Sequence, residues 1–126
     1  MFETRLDTVL QGGRSPTGDL MFTGTWRIVS SPDLDDDYLE LQPEGEPHVT
    51  FRRRDNRVEG NYEIGLLTGE IDGRLRGEQL VFSFAGMDEM DEVSGSGIAV
   101  VIDNRLTLTL MYHLGDDYTF ECERVG

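Results

Sequence analysis

From Phe22 onward, the apolar residues of this chain fall at every second position, in short runs separated by pairs that favour tight turns. Phe22, Gly24, Trp26 and Ile28 share one face. Val49 and Phe51 share the next, followed by Val58, Gly60, Tyr62 and Ile64, and then by Leu67, Gly69, Ile71, Gly73 and Leu75. Leu80, Phe82 and Phe84 continue the pattern, then the run from Gly95 to Ile102, then Leu106, Leu108, Leu110, Tyr112 and Leu114, and last Tyr118, Phe120 and Cys122. A two-residue period is the mark of strands with one buried face. Asp55-Asn56, Arg76-Gly77-Glu78, Asp103-Asn104 and the stretch from Gly115 to Asp117 are turn candidates, because Asp, Asn and Gly tolerate positive φ. The spacing predicts about eight strands with short links. Such strands pair with their neighbours, and a meander of that length best avoids exposed edges by closing on itself. The expected fold is all-β, a small antiparallel up-and-down barrel whose first strand meets its last.

Three stretches break the period. Residues 1–20 read as an N-terminal segment and linker, with Phe2, Leu6, Val9 and Leu10 at helical spacing and a loop carrying Gly12, Gly13, Pro16 and Gly18. Residues 21–126 then form the single barrel domain. Pro32 ends the first strand, and Asp33 to Leu41 predicts a short helix or irregular lid that Asp33 or Asp35 caps. Met87 to Ser94 reads as an acidic loop. Gly60, Gly69, Gly73, Gly95 and Gly97 lie inside strand patterns. They are expected at bends, or where a large ring such as Trp26, Tyr62, Phe82 or Tyr112 lies over bare backbone.

Charge narrows the partners. The net charge is −14, and every basic residue is arginine. Nucleic acids and anionic membranes require clustered cations, so neither is an expected partner. Cys122 is the only cysteine, which rules out an intrachain disulfide and fits a reducing compartment. No segment approaches the roughly 18 apolar residues of a membrane helix, and Glu3 and Asp7 interrupt any secretory leader. A cytoplasmic location is the expectation.

The run GTWRIVSSPDLDDDYLEL resembles the opening of the lipocalin and fatty-acid-binding-protein group, where a Gly-x-Trp strand precedes a short helical segment. In those families a basic side chain of the last strand lies across the Trp, which implies that Arg124 packs on Trp26 and seals one barrel end. GTWRIV, DDDYLEL, GEIDGRL, VFSFAGMDEMDEVSGSGIAVV and YHLGDDYTFE are also similar to a group of short bacterial proteins, with Phe84 where their pattern often has Trp. That likeness implies a lipocalin-like barrel and brings no chemistry with it.

Candidate sites are few. Tyr62, Phe82 and Tyr112, with Arg52, are the candidate ligand-binding residues. Arg52, Arg53, Arg54 and Arg57 form the one basic cluster, for which the chain's own carboxylates are the first partners expected and an anionic ligand the sharper alternative. Asp33, Asp35 and Asp37 are spaced like a calcium loop with Glu44 at its twelfth position, but Tyr38 stands where that loop needs Gly. Asp88, Glu89, Asp91 and Glu92 cluster without the differing environments that acid–base catalysis needs. His113, Asp116 and Asp117 are weak metal candidates. No cofactor is expected, and no convincing nucleophile, base or metal set marks an enzyme. The expected function is a non-catalytic module binding a small apolar or anionic ligand in or at the barrel. The alternative is an acidic protein-interaction or inhibitor module. Self-association to a homodimer is open, because Val29, Val81, Ile98, Val100, Ile102 and Met111 make the outer face apolar unless residues 1–20 cover it.

Overall fold

A computed structural model describes residues 21–42 and 45–125. Its strands are β1 (Gly24–Ser30), β2 (His48–Arg54), β3 (Arg57–Ile64), β4 (Leu67–Arg76), β5 (Gln79–Asp88), β6 (Asp91–Ile102), β7 (Arg105–Tyr112) and β8 (Asp117–Arg124), with one four-residue helix, α1 (Asp36–Leu39), between β1 and β2. Every strand is antiparallel to its chain neighbour, and the eight close into a barrel in sequential order. Closure runs through β1 and β8, where Trp26 faces Arg124 and Ile28 faces Cys122 before a register shift at Ser30. On the outside of this seam, Glu123 of β8 pairs with Arg27 of β1 and, more loosely, with Arg105 of β7.

The alternation read from the sequence sets the inside of the barrel. Trp26, Val49, Phe51, Val58, Tyr62, Ile64, Leu67, Ile71, Leu80, Phe82, Phe84, Leu106, Leu108, Leu110, Phe120 and Cys122 are all buried in one cluster. Phe22 and Leu39 join it from outside the strands. Large rings meet bare backbone across the ladders. Tyr62 lies opposite Gly69, and Phe82 opposite Gly97. A Cβ on Gly69 would sit 2.4 Å from the Tyr62 hydroxyl, and one on Gly97 2.3 Å from Phe82 Cζ. Gly is required there for space, not for its dihedral range.

Two sequence expectations are corrected. The stretch from Met87 to Ser94 is no loop. β5 runs to Asp88 and β6 starts at Asp91, with a tight turn at Glu89, which has φ 59°. Carboxylates at a strand end can point into water, so acidity alone did not mark a break in pairing. Leu114 is not the last inward residue of β7. It stands in the β7–β8 turn at φ 58° and is 96% exposed. Asp103 and Asn104 adopt φ 52° and 61°, the left-handed pair that a two-residue hairpin needs. The N-terminal segment proposed to cover the outer face, and Glu44 of the calcium-like spacing, lie outside the described residues.

Candidate functional site: a sealed end and a tyrosine-lined mouth

Antiparallel order sends the two barrel ends in different chemical directions. At the end where β1 begins and β8 stops, the Trp26 indole is fully buried and donates its N–H to the Phe22 carbonyl at 2.8 Å. The Arg124 guanidinium stacks 4.2 Å from the centre of the indole. It donates to the carbonyls of Thr23 and Met21, each at 2.7 Å, and to Asn104 Oδ1 at 3.3 Å. Gly24, at φ 120°, leaves room for that guanidinium, since a Cβ there would stand 3.1 Å from Arg124 Nη1. A cation held on an indole face with its donors satisfied is a stable plug.

The other end, the mouth, collects α1 and the β3–β4, β5–β6 and β7–β8 turns. Asp35 Oδ1 caps α1 by accepting the Tyr38 N–H at 3.0 Å. Asp33 accepts the Thr119 N–H at 2.7 Å, and the Ser31 hydroxyl donates to the Thr119 carbonyl at 2.6 Å, so the lid segment is tied to β8. Tyr38 packs on Gly65 in the β3–β4 turn, whose N–H donates to Gln42 Oε1 at 3.1 Å. The Glu89 N–H reaches the Leu66 carbonyl at 3.2 Å, joining two of the turns.

Inside the mouth, four rings touch in series. Tyr62 meets Phe84 at 6.1 Å between centroids, Phe84 meets Tyr112 at 5.4 Å, and Tyr112 meets Tyr118 at 5.3 Å. Among the described residues, the hydroxyls of Tyr62 and Tyr112 are buried with no hydrogen-bond partner. Burial pushes the Tyr62 phenol up to about 12, with the Asp88 carboxylate adding to the effect. Burial raises Tyr112 further, helped by Tyr62 and Asp88. Tyr38 and Tyr118 also rise, again chiefly through burial. All four stay neutral donors at physiological pH. A solvent-open groove of about 730 Å³ runs over Gly95 on the wall at this end, lined by Phe84, Tyr112, Met111, His113, Leu114 and three serines.

The structure thus brings Tyr62 and Tyr112 together around Phe84 and leaves Phe82 farther along the interior. Arg52 is separated from them. It is exposed on the outer wall and donates to Asn61 at 3.0 Å. Two of its neighbours pair with the chain's own carboxylates, Arg54 with Glu59 and Arg57 with Asp72. His113, Asp116 and Asp117 share one turn region and are exposed, and among the described residues no three His, Cys, Asp or Glu side chains converge on a metal position. Sequence reasoning missed Tyr38, Tyr118 and Phe84 as members of the site, and weighed Asp88 only as part of an acidic cluster. The available signal was that Tyr112, Tyr118 and Asp88 stand at, or next to, strand ends on the same side of the meander.

No protein-family model matches the chain. No curated protein matches it. Among solved structures, a "REP1-NXSQ fatty acid transporter" is 14% identical with a TM-score of 0.49, the match covering 82% of this chain and 96% of that one.

Proposed function

We propose that this barrel is a non-catalytic binding module that takes a small, mainly apolar ligand at its tyrosine-lined mouth. The hydroxyls of Tyr62 and Tyr112, buried with no partner among the described residues, carry the reading. Leaving a buried donor unsatisfied costs about 1–3 kcal/mol, and a guest that accepts from it recovers that cost. The neighbouring surface offers apolar contact beside these hydroxyls, since Phe84, Met111, Tyr112 and Leu114 line the open groove. Native mass spectrometry of the protein purified from its own host tests it. A co-purifying small molecule, lost when Tyr62 and Tyr112 are both changed to Phe, is the expected result. A bare protein that also takes up no added apolar compound would contradict it.

One observation favours a second reading, an interaction module. Leu114, Met90 and Leu41 stand 96%, 91% and 53% exposed around the mouth, amid Asp88, Glu89, Asp91, Asp116 and Asp117. Apolar tips set among carboxylates suit a partner with a basic, partly apolar surface. Association of that kind would weaken with salt and with Leu114→Ser.

A further inference from the structure

We infer that the ligand's anchoring group is a neutral hydrogen-bond acceptor, such as a ketone or ester carbonyl, held by the Tyr62 and Tyr112 hydroxyls. This inference rests on the binding-module reading and adds the chemical class. A phenol that keeps its proton offers one O–H, and here two such donors flank Phe84 in the same interior. A carboxylate would accept those bonds too, but it would arrive charged in a poorly hydrated place and needs a cation beside it.

Among the described residues, no cation is buried beside the two phenols. Arg27, Arg52, Arg53, Arg54, Arg57, Arg74, Arg76 and Arg105 are exposed on the outside of the barrel or its turns. Arg124 is spent at the sealed end on Trp26, Met21, Thr23 and Asn104. His113 lines the outer groove over Gly95 from the β7–β8 turn, where it is exposed to water rather than set among the buried rings. His48 is turned to the Glu46 carbonyl at 2.8 Å, on the far side of the barrel wall from the rings. The charges that do face the phenols are negative. Asp88 acts on Tyr38, Tyr62, Tyr112 and Tyr118 alike, and Asp116 and Asp33 act on Tyr118. An anion entering this mouth meets like charge and, among the described residues, no buried counter-ion. A carbonyl pays neither cost. It keeps both phenolic hydrogen bonds within reach, while its apolar remainder lies against Phe84 and the groove over Gly95.

The test uses the full chain at neutral pH, titrated calorimetrically with methyl octyl ketone and with decanoate, which match in length and differ in charge. The ketone is expected to bind at least tenfold tighter. Tyr62→Phe and Tyr112→Phe should each weaken ketone binding roughly fivefold, the value of one hydrogen bond, and leave the fold intact because each removes a hydroxyl that already lacks a partner. Decanoate binding as tightly as the ketone, or Phe variants that hold the ketone undiminished, would overturn the inference while leaving the binding module standing. Failure of both compounds to bind would overturn the binding module itself.

Discussion

Arg124 holds its place through three separate attractions: the indole face of Trp26, two backbone carbonyls and Asn104. Arg124→Ala removes the stacking and leaves those acceptors to water, so unfolding titrations should show a loss of about 1–3 kcal/mol. Lysine should restore little, since a point charge cannot bridge the Met21 and Thr23 carbonyls while lying flat on a ring. Gly69→Ala acts differently. Its new methyl would meet the Tyr62 hydroxyl at 2.4 Å and the ring carbons behind it at 2.6 and 2.8 Å. Tyr62 is buried and has nowhere to swing, so overpacking of about 1–3 kcal/mol is expected from the same measurement. The phenols also give the fold an alkaline limit. The folded chain raises the Tyr62 pKa from 10.0 to about 12 and so holds that proton more tightly than the unfolded chain does. Its contribution is complete below pH 10 and is lost as pH rises toward 12, a fall of roughly 2–3 kcal/mol in unfolding free energy. Tyr62→Phe should flatten that part of the pH profile. Cys122 is fully buried and its thiol is pushed up, chiefly by burial, so an aromatic disulfide reagent should label it only as the protein unfolds.

Most strands are legible because a barrel wall has one wet face and one dry face, and each side chain's side follows from its parity. The Asp103-Asn104 turn is legible for a local reason: both residue types accept the left-handed conformation that a two-residue hairpin demands. The β5–β6 hairpin is not legible in the same way. Met87, Asp88, Glu89, Met90, Asp91 and Glu92 carry no apolar alternation, and their pairing is set by partners far along the chain, Leu67 facing Asp88 and Gly69 facing Gly86. A Cβ on Gly86 would lie 1.9 Å from the Thr68 carbonyl, a close passage that no local pattern announces. The mouth is hidden for the same reason. Tyr38, Tyr62, Tyr112 and Tyr118 come from four elements, and only the register of a closed barrel sets them side by side. The lid's attachment is itself testable. Asp33→Ala and Asp35→Ala each delete one hydrogen bond that ties or caps the segment around α1. Faster amide exchange at Tyr38 and Leu39, with global stability lowered by only about 1 kcal/mol, is the expected outcome.

At the scale of the whole molecule, one end of the barrel is finished and the other is not. Cation, indole and backbone carbonyls satisfy one another where β1 meets β8, whereas at the mouth the buried Tyr62 and Tyr112 hydroxyls have no partner among the described residues. The chain carries a net charge of −14, which biases what can approach. The most direct measurement is a proton NMR titration of the full chain with methyl octyl ketone, which follows the tyrosine ring signals and the single indole N–H. The ring resonances of Tyr62 and Tyr112 should move with saturation, while the Trp26 indole proton, bonded to Phe22 at the opposite end, stays fixed. A shifting indole with unmoved tyrosine rings would contradict the account.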